Sequence, residues 1–319
     1  MLNRQGSRTA GLWLVVLGWL VWGCTPALPS SLPAETAPAF TATPLPDIRP
    51  VVPSAPTFSA LPTSTSTPAA DCWKEGGRVE SFSQPSAVIG KPLLGYVYLP
   101  PCYEPDAEPT YPLVILLHGQ SADAGQWLEL GVTETADRLI AEKIIPPLVI
   151  VLPYEQYSLR NPYESGYDLA LRDELLPWLS EKYPAVCREP VCRALGGLSR
   201  GGGWALMIGL TQPELFAAIG GHSAPPFYGM ESRLTLWLKE NSLGGLPSVY
   251  LDVGEKDRYY HSIEEFHNRL VELGVPHEWQ VNPGAHDEDY WRSQVETYLR
   301  WYGNILGRGK LPHPTGMIE

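Results

Sequence analysis

The 319-residue chain is short of positive charge: 23 Lys and Arg stand against 35 Asp and Glu, for a formal net charge of −12. That balance excludes nucleic acid and an anionic lipid surface as electrostatic partners. Metal-ligand spacing is missing too, since no C-x-x-C and no partnering histidine interval occurs, and no metal site is expected. The chain has no Gly-rich nucleotide loop and no internal repeat. No apolar run reaches comfortably the roughly 20 residues that a membrane span requires. Phenylalanine is scarce at 6 residues, against 11 Trp and 16 Tyr.

What is present begins with an export signature. Arg4 and Arg8 form a positive n-region ahead of the uncharged, apolar "AGLWLVVLGWLVWGC", which suits a signal-peptide h-region. It ends in Val21-Trp22-Gly23-Cys24, which resembles a bacterial lipobox, so residues 1–23 read as a lipoprotein-type signal peptide. Cys24 would then carry lipid and anchor an extracytoplasmic protein to a membrane; an uncleaved N-terminal anchor is the alternative. Four cysteines remain, and an even number in an exported chain points to disulfides. Of the three possible pairings, Cys187–Cys192 would staple the loop "CREPVC" and Cys72–Cys102 would tie down the start of the folded domain.

Residues 24–70 are dominated by Pro, Thr, Ser and Ala, and after Cys24 they carry only Glu35, Asp47 and Arg49 as charges. Such a segment cannot bury enough apolar surface to offset its ordering entropy. Its prolines favour extended polyproline II, a semi-stiff stalk on the order of 100 Å long at ~3.1 Å per residue. From residue 71 to 307 the texture becomes that of a folded domain, followed by a tail over 308–319. The runs "RVESFSQPSAV", "PLLGYVYLPP", "YPLVILLHG", "PLVIVLP", "RALGG", "FAAIGGHS", "PSVYLDVG" and "HEWQV" read as strands, the first two joined by a turn at Ile89-Gly90-Lys91. Helical spacing appears in "TETADRLIAEK", in "ESGYDLALRDELLPWLSEKY" with a kink expected at Pro177, and from about Gly202 to Leu210. Strands alternating with helices indicate an α/β domain built on a mostly parallel sheet.

Within it, Gly197-Leu198-Ser199-Arg200-Gly201 matches G-x-S-x-G, in which a serine occupies a strained strand-to-helix turn. A plain glycine turn would explain the same residues unless an acid and a base follow in order. The strand "PSVYLDVG" and the loop after it offer Asp252, Glu255 and Asp257; Asp252 lies within the apolar strand end, whereas Asp257 sits in the loop, where a carboxylate can reach a histidine, and is preferred. After "HEWQV", His286 stands in a loop behind Gly284, the one histidine with both the position and the setting of a general base. The N–H of Arg200, at a helix start, and that of Gln120, in "LLHGQSADAGQW", would form an oxyanion hole, with Gly119 as the alternative to Gln120. Trp127, Tyr154, Tyr157, Tyr228 and Tyr259 fall in loops near these positions and are candidates for substrate contact.

Taken together, "LLHGQSADAGQW", "LGGLSRGG", "DVGEKD" and "GAHDEDYW" resemble the esterase D-like group of α/β-hydrolases. That group includes S-formylglutathione hydrolases, ferric-enterobactin esterases, feruloyl and acetylxylan esterases, and mycolyltransferases. The resemblance spans about residues 78–305. It implies an α/β-hydrolase fold and a serine esterase that needs no cofactor, with a Ser199–His286–Asp257 triad acting on a small-molecule or carbohydrate ester. An acyltransferase, or a binding module on a hydrolase scaffold, are the alternatives. Many relatives carry methionine where this chain has Arg200, a cation that would either favour an acidic substrate or pair with a carboxylate.

Overall fold

A computed structural model describes residues 72–308, except 157–159 and 241–242. The expected signal segment, Cys24, the stalk, Tyr157 and the tail beyond Arg308 lie outside the described residues. The eight strands expected from the sequence form one sheet: β1 (Arg78–Gln84), β2 (Leu93–Leu99), β3 (Leu113–Leu117), β4 (Val149–Pro153), β5 (Arg193–Leu198), β6 (Ala218–His222), β7 (Ser248–Gly254) and β8 (Glu278–Asn282). Their order across the sheet is β1-β2-β4-β3-β5-β6-β7-β8. β1 pairs antiparallel with β2, and β2 with β4; the other six strands run parallel.

The longer helices are α1 (Val132–Ala141), α2 (Leu176–Lys182), α3 (Arg200–Thr211), α4 (Met230–Glu240), α5 (Tyr260–Glu272) and α6 (Glu288–Arg308). They cover both faces of the sheet, which is why β3 (LVILL) and β4 (VIVLP) are apolar throughout and wholly buried. The two-residue period of a strand sorts their side chains. Leu113, Ile115, Leu117, Val149 and Val151 pack with Leu176, Leu179, Trp204 and Phe266 on one face. Val114, Leu116, Ile150 and Leu152 pack with Ala136, Leu139, Tyr298 and Tyr302 of α1 and α6 on the other. The result is the α/β-hydrolase architecture, a three-layer sandwich around a mostly parallel sheet. Among the described residues no helix is long and apolar enough to cross a membrane.

Two helices depart from the sequence reading. The segment expected as one kinked helix runs without a break from Tyr167 to Lys182 but widens into a π-helical turn at Leu171–Leu175 before α2. Pro177 has no N–H to offer the preceding turn, and the backbone widens just ahead of it. α3 begins at Arg200 rather than near Gly202, because the helix starts as soon as the chain has turned at Ser199. Cys72 is bonded to Cys102 and Cys187 to Cys192.

α6 reaches the sheet closely because β5 and β6 place Gly196 and Gly220 side by side. A β-carbon at either position would collide with the Tyr302 hydroxyl, which instead bonds His222 Nε2 at 3.0 Å. Gly196→Ala should therefore overpack this seam and destabilise the fold by about 1–3 kcal/mol. Thermal unfolding of the variant should show a melting temperature lower by roughly 2–4 °C for each kcal/mol lost.

Candidate active site

The loops that follow β3, β5, β7 and β8 meet at the C-terminal edge of the parallel strands, where open α/β sheets present their ligands. Ser199 sits between the end of β5 and the start of α3 with φ 52° and ψ −120°, a conformation that L residues rarely adopt. The turn is possible because its flanks lack side chains. A β-carbon on Gly197 would collide with the backbone of Gly201, and one on Gly201 with the carbonyls of Leu117 and His118. The Ser199 N–H is held by the His222 carbonyl at 2.8 Å, so the residue is anchored through its backbone and not through its hydroxyl.

That hydroxyl donates to His286 Nε2 at 2.9 Å. On the far side of the ring, His286 Nδ1–H donates to Asp257 Oδ2 at 2.9 Å. Both side chains are almost fully buried. The other Asp257 oxygen accepts the Tyr259 N–H at 2.7 Å, which fixes the carboxylate in the plane the imidazole needs. The acid and base loops are sewn together: Glu255 N–H donates to the Asn282 carbonyl and Lys256 N–H to that of Gly284. Tyr259 and Trp291 stand edge-on to the imidazole at 4.8 and 5.0 Å between ring centroids.

Asp252, another acid considered, is engaged elsewhere. It accepts from His222 Nδ1–H at 2.8 Å and from the Tyr290 and Tyr298 hydroxyls at 2.6 and 2.8 Å. His222 and Asp252 are completely enclosed, and burial pushes the Tyr298 and Tyr302 phenols well above their ordinary range. This second histidine–aspartate pair is a buried tie between the sheet and α6, out of reach of any substrate.

Of the two N–H groups considered after β3, Gly119 donates to Gln126 Oε1 at 2.9 Å and is already used. Gln120 lines the cleft and its N–H has no partner among the described residues. Arg200 is the first residue of α3, where the N–H has no carbonyl one turn earlier to meet. Its side chain is committed. The guanidinium donates to both oxygens of Glu155 at 2.7 Å, with side-chain exposures of 10% and 4%, and lies over the Phe227 ring at 5.3 Å. Glu155 N–H donates to His118 Nε2 at 2.9 Å, so the His118 proton is on Nδ1, which donates to the Gly119 carbonyl at 2.7 Å. Burial holds His118 below its ordinary pKa and keeps it neutral. Glu155, His118 and Arg200 thus brace the loop after β3 against the start of α3.

The cleft over Ser199 has a volume of about 350 Å³ and is lined by Gly119, Gln120, Ser121, Ala122, Gln126, Arg258, Tyr259, His286, Glu288 and Trp291. The aromatic candidates divide here. Tyr259 is on the wall. Trp127 is not: it is buried, its indole N–H donates to the Leu117 carbonyl at 3.0 Å, and it packs on Tyr298. A large apolar ring in the helical turn Gln126–Glu129 gains more from the core than from the cleft. Tyr154 lies against His118 and lines a separate hollow with Phe82 and Tyr96. Tyr228 is 100% exposed and is not on the cleft wall. Gln126, Glu155, Arg258 and Trp291 were not singled out in the sequence; only the adjacency of Arg258 to Asp257 marked any of them. Among the described residues no cluster of three or more His, Cys, Asp or Glu could hold a metal ion.

The profile of the family described as "Putative esterase" matches residues 86–302. An endo-1,4-beta-xylanase/feruloyl esterase of Xylanibacter ruminicola is 26% identical over 235 residues, 69% of this chain and 30% of that protein. An iron(III) salmochelin esterase of Escherichia coli is 28% identical over 215 residues, 60% of this chain and 51% of that protein. The chain thus spans from under a third to about half the length of these curated relatives. A solved ferulic acid esterase superposes with a TM-score of 0.64 at 27% identity, covering 72% of this chain and 99% of that one.

Glu155→Gln would leave the Arg200 guanidinium enclosed without a counter-charge. The variant should lose about 3 kcal/mol of stability, as broken buried pairs do, measurable as a shift in the urea midpoint. An unchanged midpoint would show that the pair contributes nothing to the brace.

Proposed function

On the premise that the chain belongs to the "Putative esterase" family, we propose that it is a serine carboxylic-ester hydrolase that works through an acyl-enzyme. The observation that carries the reading is the unbroken hydrogen-bonded line Ser199–His286–Asp257, at 2.9 Å for each link. Ser199 Oγ attacks the ester carbonyl carbon while His286 Nε2 takes its proton. Asp257 keeps the imidazole in the tautomer that presents Nε2 to the serine, and stabilises the imidazolium once it forms. The N–H groups of Arg200 and Gln120 hold the oxyanion of the tetrahedral intermediate. The intermediate collapses, the C–O bond to the alcohol breaks, and the alcohol leaves with the proton from His286. Water then attacks the acyl-enzyme, gives a proton to His286 and releases the acid. That proton returns to Ser199 Oγ.

The relatives named as feruloyl and salmochelin esterases support a substrate drawn from esters of aromatic acids, acylated carbohydrates or comparably polar small molecules. The two disulfides suit an oxidising compartment. With the lipobox-like Cys24 and the Pro-rich segment after it, they support an extracytoplasmic enzyme held at a membrane by an N-terminal lipid.

Ser199→Ala should lower kcat/KM for 4-nitrophenyl acetate by at least about a thousandfold and abolish labelling by a fluorophosphonate probe, with thermal unfolding unchanged. Asp257→Asn should cost on the order of 10⁴ in kcat by leaving the imidazole in the wrong tautomer. Turnover that survives Ser199→Ala would refute the assignment.

A further inference from the structure

Among the described residues the cations around Ser199 are accounted for with one exception. Arg200 is spent on Glu155, and Lys256 lies 3.9 Å from Glu255 at the surface. Arg258 lines the cleft, yet among the described residues its guanidinium has no carboxylate within ion-pair distance. Its contact is the face of Tyr259, with Cζ 5.0 Å from the ring centroid. The backbone beneath it is pinned, because Asp257 accepts the Tyr259 N–H at 2.7 Å and belongs to the line that holds His286. In a chain of net charge −12, most of the surface repels anions, so an unneutralised cation beside the nucleophile is a specific feature. The same cleft carries one carboxylate, Glu288, which is not paired with it.

We propose that Arg258 recognises a carboxylate carried by the substrate, so that the preferred ester is one with a free carboxylate on its acyl or alcohol part. This rests on the esterase reading and narrows its substrate class. Guanidinium presents a planar fork of N–H donors that matches a carboxylate. The Tyr259 face holds the cation by its π surface and leaves the N–H edges free. One guanidinium compensates a single negative charge, and Glu288 on the same wall disfavours any further one, which selects a monoanionic carboxylate over a dianionic phosphate. Glu288 repels an anion that enters in the wrong orientation and so helps set the direction of binding.

Matched ester pairs test this. 4-Nitrophenyl hydrogen glutarate is compared with its methyl ester, and 3-acetoxybenzoate with methyl 3-acetoxybenzoate. The ratio of kcat/KM for anionic over neutral substrate should favour the anion in at least one pair. Arg258→Gln should lower that ratio about tenfold, as loss of a partly exposed charge-assisted contact does, mainly through KM. Arg258→Lys should restore part of the ratio, and Glu288→Gln should raise it. The discrimination should shrink as salt rises. A ratio that Arg258→Gln leaves unchanged overturns the proposal. Calorimetric titration of Ser199→Ala with the same ligands decides the point without turnover: tighter binding of the anions, lost in Ser199→Ala/Arg258→Gln, supports the site, and equal binding overturns it. If the wild type turns over neither member of a pair and takes no fluorophosphonate label, the esterase reading fails while the titration still decides the anion site.

Discussion

Everything at the site hangs on the backbone of one residue. Ser199 is held at φ 52° and ψ −120°, a strained conformation that persists only because the surroundings over-determine it. β5 delivers it, α3 leaves from it, and the His222 carbonyl of the neighbouring strand fixes its N–H. Gly197 and Gly201 exist so that this turn can close. The same turn raises the hydroxyl above the sheet and leaves the Arg200 N–H at a helix start, so the proposed nucleophile and the proposed oxyanion donor come from one constraint.

Three buried or nearly buried carboxylates near that turn show how context divides one chemistry into separate tasks. Asp257 accepts from the His286 imidazole, whose other nitrogen meets the Ser199 hydroxyl. Asp252, five residues earlier and at the inner level of the sheet, ties β6 and β7 to α6 through His222, Tyr290 and Tyr298. Glu155 neutralises Arg200 and, through its N–H and His118, braces the loop that supplies Gln120. Each carboxylate has its oxygens satisfied, which is the condition for burying such groups at tolerable cost. Because Arg200 is neutralised, the question of an acidic substrate passes to Arg258, a cleft cation with no carboxylate partner among the described residues.

The strands were legible because a sheet covered on both faces writes itself as unbroken apolar runs, as in "LVILL" and "VIVLP". The order serine, aspartate, histidine was legible because each residue follows a strand and lies two or three residues from a glycine. What sequence spacing does not carry is the direction in which a side chain leaves its loop. Trp127 was indistinguishable from Tyr259 as a loop aromatic, yet one packs beneath the sheet and the other faces the cleft. Spacing favours Gln120 as donor but leaves Gly119 open, and only the structure shows the Gly119 N–H taken by Gln126.

The sequence by itself determined the strand and helix alternation and the elbow pattern at Ser199, and it singled out His286, because these rest on local sterics, periodicity and short-range spacing. Only the tertiary structure decided that Asp257 rather than Asp252 meets the histidine, that Arg200 is neutralised by Glu155, and that Arg258 is left facing the cleft. Those outcomes depend on which loops the sheet order brings together across 29 to 45 residues of chain, a distance over which charge pairing is set by geometry and not by sequence.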